Sequence, residues 1–213
     1  MRYLFILFLL TLSGCTATNI TVQGSVPKPL VARLPLRVGV YYSPDFKKFS
    51  HQETIDKRAT YNVDFGAQNL SFFRSLFGAM FASVVEVGQL PLTQDQARSL
   101  DGIIVPEILK YGFLTPDISG LNFYSASISY RITLYNSSGK KIRAWVYVGY
   151  GKSESTLFHG NQALANATLQ AIRDGGARIA IDVPKDPAFV MWVKSSDKEV
   201  LTNSNPSQEG GQK

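Results

Sequence analysis

The chain has 213 residues, of which 45% are hydrophobic and 18% charged, so it can bury a full-sized core and is not a disordered polymer. Lysine and arginine exceed aspartate and glutamate by 22 to 16, a mild +6 that permits attraction to an anionic surface without demanding nucleic acid. One cysteine excludes an intrachain disulfide, and two histidines, His51 and His159, exclude most zinc sites built on His and Cys.

The N-terminus begins Met1-Arg2, runs through an apolar stretch from Tyr3 to Leu12, and ends in Ser13-Gly14-Cys15. The stretch is too short to span a bilayer, which takes roughly 20 residues, and it has the layout of a secretory signal over 1–14. Leu12-Ser13-Gly14-Cys15 resembles the lipobox of bacterial lipoprotein precursors. The resemblance implies cleavage before Cys15, a diacylglycerol in thioether linkage on its sulfur and an acyl chain on its new amine. It also implies that Thr16, in place of an aspartate, sends the protein to the outer membrane, facing the periplasm. Two or three acyl chains hold nearly permanently where one holds weakly. Acylation would also consume a thiol that an oxidising compartment would otherwise cross-link. Loss of the leader removes Arg2 and so one unit of the +6 excess.

From Cys15 to Leu34 the composition of Thr, Asn, Gly, Ser and Pro suggests a flexible tether. At about 3.3 Å per residue it would reach roughly 60 Å. A single domain is expected over 35–193, and 194–213, rich in Ser, Asn, Gln and Gly, reads as a disordered tail.

Leu36 to Tyr42 alternates and predicts a strand, closed by Ser43-Pro44-Asp45. His51 to Asp64 reads as a polar loop. Leu70, Phe73, Phe77, Met80, Phe81 and Val84 recur at steps of three and four, predicting a helix over Asn69 to Val87. Asp101 to Phe113 reads as a buried strand in which Pro106 marks a bulge or an edge. Phe123 to Tyr135 alternates strictly, with Tyr124, Ala126, Ile128, Tyr130, Ile132 and Leu134 on one face. Lys141 to Gly151 returns with Ile142, Ala144, Val146 and Val148 alternating. Keeping both apolar sets on one face selects an odd loop, Ser137-Ser138-Gly139, with Gly139 left-handed. Ile128, Ile132, Val146 and Val148 should then pack against the helix bearing Phe73, Phe77 and Phe81. Asn161 can cap a last helix running to about Ile181, where Gly175 and Gly176 either weaken it or let its backbone approach the sheet.

The order is β-α-β-β-β-α, an α+β fold: about four mainly antiparallel strands with two helices on one face. In the register above, Arg131 lies opposite Trp145, Arg143 opposite Thr133 and Tyr147 opposite Ser129. That puts Trp145, Tyr147, Arg131 and Arg143 on the second face, with the composition of an interface core. These four are the candidate partner-binding residues. The alternative is that Phe189-Val190-Met191-Trp192-Val193 folds over them as core. Stacking on single-stranded nucleic acid does not suit the compartment.

No catalytic constellation stands out. Cys15 is committed to lipid, both histidines fall in loop-like stretches, and no G-x-S-x-G elbow occurs. Glu107 and Glu154 lie in or beside strands and read as surface residues. Gly149-Tyr150-Gly151-Lys152 lacks phosphate-loop spacing and reads as a strand end or bulge, and Asp174-Gly175-Gly176 is not a calcium loop. No metal or cofactor is expected.

Lipobox, tether and small α+β body together resemble outer-membrane lipoproteins of envelope assembly and transport. Among these are the lipopolysaccharide-assembly, Pel and curli secretion lipoproteins, activators of penicillin-binding proteins, and auxiliary lipoproteins of ABC transporters. The resemblance implies a non-catalytic docking or transport-auxiliary component, membrane-held through its lipid and bound to an envelope protein or to copies of itself. A peptidoglycan-active enzyme and a binder of a soluble ligand between helices and sheet are the alternatives.

Overall fold

The computed structural model describes residues 17–25, 27, 29–56, 59–154 and 160–203. The leader, Cys15 and His159 lie outside the described residues. Among the described residues eight strands form two sheets. One has three strands, β1 (Ala17–Thr21), β4 (Ala59–Asp64) and β3 (Ser50–Ile55), in the order β1-β4-β3. The other has five: β5 (Phe81–Glu86), β2 (Leu34–Val40), β6 (Gly102–Leu114), β7 (Phe123–Asn136) and β8 (Lys141–Glu154), in that order. β2 runs parallel to β5 and β6, while β6, β7 and β8 are antiparallel. Six α-helices among the described residues accompany them: α1 (Pro44–Lys47), α2 (Gly66–Met80), α3 (Gln94–Arg98), α4 (Pro116–Ser119), α5 (Gly160–Asp182) and α6 (Pro187–Asn203). The α+β class is as expected, but the sheets are mixed and there are more elements than the six predicted.

Each departure has a local cause. The stretch read as a tether contains β1, which pairs in parallel with β4. Ile20 and Val22 sit on one face of that segment and are buried, an alternation hidden by threonines. The polar loop 51–64 is the β3–β4 hairpin, whose faces are too exposed for a clean apolar pattern. The helix starting near Asn69 stops at Met80, and Phe81 turns directly into β5 with its N–H still donating to Phe77 O. The three-and-four spacing persists to Val84 by coincidence. The β-branched Val84, Val85 and Val87 favour extended chain there. The first part of the expected tail, 194–203, is the continuation of helix α6, whose Phe189 and Trp192 are buried. α5 begins at Gly160, so Asn161 lies inside it rather than capping it.

α2, α5 and α6 cover one face of the five-stranded sheet. Tyr130 on β7 marks the centre of that core: its ring packs on Phe73 at 5.0 Å and its hydroxyl donates to Asn69 Oδ1 at 2.7 Å, with both residues fully buried. Burial pushes the Tyr130 phenol well above its usual range. The smaller sheet packs on the far end of β6 through His51 and Tyr61 against Tyr111 and Phe113. Pro106 falls just past the stretch Gly102–Ile104 that pairs with β2, where β6 has an edge, and the strand bulges between Ile108 and Lys110.

Candidate functional site: the uncovered face of the sheet

The β7–β8 hairpin decides which residues this face carries. Its turn is as expected: Asn136 N–H donates to Lys140 O, Gly139 N–H to Asn136 O, and Gly139 has φ of 80°. Tyr135 pairs with Lys141 in the expected register, but Leu134 already pairs with Arg143. One extra residue, Ile142, is absorbed in a bulge, and every later residue of β8 changes face. The observed pairs are Ile132 with Trp145, Arg131 with Val146, Tyr130 with Tyr147 and Ser129 with Val148.

The expected cluster of Trp145, Tyr147, Arg131 and Arg143 is therefore not assembled. Trp145 faces the helices, is 8% exposed, and packs its ring against Phe189 at 6.3 Å. Phe189 in turn meets Trp192 at 5.2 Å. The alternative in which the Phe189–Val193 segment supplies core is the one realised. Tyr147 shares that side and is half-buried, while Arg131 alone stays on the outer face. Ile128 and Ile132 are buried as expected, but Val146 is 57% exposed and Val148 only half-buried.

Arg143 and Trp145 hold the protein's own last helix. Asp186, just before α6, accepts the Ala188 N–H at 2.9 Å and lies 3.7 Å from the Arg143 guanidinium. The nearby Trp145 indole N–H, although it completes no hydrogen bond, then the backbone N–H groups of Ala188 and Phe189 and the Arg143 charge, lower the Asp186 carboxyl below its usual range against some desolvation. Trp192 Nε1 donates to Asp101 O at 3.2 Å, which fixes the helix to the start of β6.

Beyond Trp145, β8 presents Gly149 and Gly151 to α5. A Cβ at Gly149 would lie 2.1 Å from Ala171 O, and one at Gly151 1.9 Å from Ala167 O. The reading of this stretch as a strand end or bulge misses that role: it is the notch into which the helix backbone settles. Gly175 makes the matching approach from α5, as one of the two expectations for it held. From that position Asp174 and Gln170 accept the Tyr150 and Lys152 N–H groups along the outer edge of β8. Helix side chains thus cap part of an edge that could otherwise recruit another strand.

What remains open is the outer face of β6, β7 and β8. Near the hairpin turn it is partly roofed by the segment after β5: Val87 and Leu100 lie over Gly39, and a cavity of about 470 Å³ opens between Leu90, Leu92, Ala97, Ile103 and Tyr135. Toward the other end it is an open trough floored by Gly112, Ser125 and Ser127 and bordered by Lys110, Tyr150 and Lys152. Arg131 and Glu107 lie 3.7 Å apart midway along it. The floor is made of small residues, and the cations Lys110, Arg131 and Lys152 outnumber the carboxylates Glu107 and Glu154 on this face.

The fold is a shared one. A Helicobacter pylori homolog of a neuraminyllactose-binding hemagglutinin superposes with a TM-score of 0.54, at 12% identity, over 84% of this chain and 100% of that one. Protein XCC0632 from Xanthomonas campestris, of the family DUF330, superposes with a TM-score of 0.50, at 14% identity, over 86% of this chain and 99% of that one. At these identities the likeness concerns the fold alone. A minor lipoprotein from Acinetobacter baumannii is more distant, with a TM-score of 0.36 at 11% identity over 70% of this chain and 90% of that one. No protein-family model and no curated protein matches the chain.

The other sequence candidates have ordinary surroundings. His51 packs edge-on to Tyr111 and Phe113 and meets Glu53 at 3.1 Å. Glu107 is the partner of Arg131, and Glu154 ends β8 opposite Phe123. Glu86, unremarked in the sequence, bridges α1, α2 and β5: Lys47 lies at 2.9 Å and Arg74 at 2.5 Å. Lys47 foremost, and Arg74, hold its carboxyl below the usual range. Among the described residues no three His, Cys, Asp or Glu side chains converge as a metal site.

Proposed function

We propose that this chain is a lipid-anchored protein of the bacterial outer membrane, facing the periplasm, that acts as a non-catalytic docking component of envelope assembly or transport. The observation that carries the reading is Leu12-Ser13-Gly14-Cys15 behind a basic and apolar leader, with the chain's sole cysteine in the acylated position. The non-catalytic part is supported by where the reactive groups are engaged. His51 is held by rings and by Glu53, and Glu86, Glu107, Asp174 and Asp186 each have a cationic partner.

The docking surface in this reading is the trough on β6–β8, and its occupant is an acidic protein surface of the envelope. Lys110 and Arg131 supply the charge complementarity, and small side chains let a partner backbone approach closely. The first test is Cys15→Ser, which should abolish labelling by a fatty-acid analogue and release the domain into soluble fractions. Unchanged membrane attachment would overturn the anchor. The second places a photo-crosslinking residue at Val146 and another at Trp145. Adducts should form from Val146 alone, and lysis of peptidoglycan in a zymogram would overturn the non-catalytic assignment.

A further inference from the structure

The described fold starts at Ala17, the second residue after Cys15. Two residues span about 7 Å at most, so if Cys15 carries lipid, the N-terminal end of β1 is held at the bilayer surface with almost no slack. What else lies at that end is fixed by the register. Thr18 pairs with Tyr61, and Tyr61 packs its ring on Phe113 at 5.4 Å. Phe113 is one residue from the end of β6, where the chain enters the β6–β7 connection. Burial, and then the Asp117 charge from that connection, raise the Tyr61 phenol. Burial, Tyr61 and Asp117 do the same to Tyr124 at the start of β7. The beginning of β1 and the β6–β7 connection are therefore neighbours.

That connection carries an apolar surface. Leu114, Ile118 and Leu121 are 46%, 45% and 51% exposed, and they are separated by only short steps along one turn. Thr115 and Pro116 open α4, and Gly120, left-handed at φ of 66°, closes it, so the turn has a defined shape. Leu114 ends β6 at the mouth of the trough, and Ile118 and Leu121 follow it on the connection, so three large aliphatic side chains are exposed within eight residues of chain. At the border of the patch Lys152 Nζ sits 3.9 Å over the Phe123 ring, a cation and an aromatic of the kind that settle at headgroup level.

We infer that the β6–β7 connection, through Leu114, Ile118 and Leu121, is a second, non-covalent contact with the bilayer, dipping into the lipid surface beside acylated Cys15. This rests on the lipid-anchor reading and adds to it an orientation. β6 and β7 stand up from the membrane, and the Ser137–Gly139 turn is held at the distal end, roughly 40 Å away at 3.3 Å per strand residue. The acyl chains supply the affinity, and the loop fixes which way the domain faces.

The experiment uses the full acylated protein purified from membranes and reconstituted into phosphatidylethanolamine–phosphatidylglycerol vesicles that contain no other protein. An environment-sensitive thiol-reactive fluorophore is placed at Leu121→Cys, at Ile118→Cys and at Ser138→Cys, with Cys15 blocked by its own thioether. Emission at positions 118 and 121 should shift to the blue and be quenched by nitroxide-bearing lipid, while position 138 should behave as in water. Water-like emission at 118 and 121 in protein whose mass shows the acylated Cys15 would overturn the loop contact and leave the anchor standing. A Cys15 that is unmodified by mass and takes up the fluorophore would overturn the anchor and this inference with it.

Discussion

The two strands of one hairpin behave differently. β7 keeps its alternation from Tyr124 to Leu134, and the side with the aliphatic and tyrosine residues is the side under the helices. β8 has an equally regular set in Ile142, Ala144, Val146 and Val148, and most of that set turns outward. The difference is one residue. Alternation assigns residues to two sides but does not say which side is the core, and a bulge between turn and strand reverses the assignment without disturbing the pattern. The winning side of β8 has the larger apolar payload at one end, in Trp145, and the smallest possible residues at the other, in Gly149 and Gly151. Burying an indole removes more apolar area from water than burying one valine does, and only glycine lets α5 lie directly on the strand.

This contrast can be broken at the helix contact first. Gly151→Ala should cost at least about 3 kcal/mol, because the new methyl would meet the Ala167 carbonyl, which is backbone and cannot swing aside. Thermal unfolding should register a fall of roughly 10 °C. Next is the covered face of β7. Tyr130→Phe leaves both polar atoms of the buried Asn69 amide without a partner, since Nδ2 has none already, and should cost about 1–3 kcal/mol by urea titration.

A third effect depends on pH. Because the Asp186 carboxyl is lowered below 3.8 in the folded protein, its stabilisation is present above the unfolded value and is lost as pH falls through the folded one. The urea midpoint of the native protein should therefore fall between neutral pH and pH near 3 by more than that of Asp186→Asn. Equal slopes would show that Asp186 does not hold α6. The smallest effect has the opposite sign. Gly78, on the exposed side of α2, has open space where a Cβ would go, so Gly78→Ala should stabilise by about 0.5–1 kcal/mol. Destabilisation there would contradict the distinction between glycines that admit a backbone and glycines that do not.

Long periodic segments were legible. β7, the Gly139 turn, the apolar stripe of α2 from Phe73 to Met80 and the burial of Leu164, Ala167, Ala171, Ile172 and Ile179 on α5 follow from local pattern, because each residue's environment there is decided by neighbours within one element. The segments that escaped are those whose partners are distant in sequence. β1 is a strand only because β4 lies beside it, and the β3–β4 pair shows little alternation because its sheet is small and half-exposed. The misplaced site residues failed for a single reason, the bulge at Ile142. A signal did exist: Gly149 and Gly151 at alternate positions match the small-residue stripe Ala163, Ala167, Ala171 and Gly175 on the last long helix. Small residues on both partners mark a close helix–strand contact more surely than alternation marks a face.

The most direct test of the account compares two adjacent positions on one strand. Trp145→Ala and Val146→Ala are unfolded in urea under identical conditions. The inverted register predicts a loss of about 3–5 kcal/mol for Trp145→Ala, a buried indole under Phe189. For Val146→Ala it predicts a change within about 0.5 kcal/mol, as for an exposed side chain. A large loss at Val146 with a small one at Trp145 would mean that the expected register holds after all, with Val146 beside Ile132 under the helices and Trp145 on the open face.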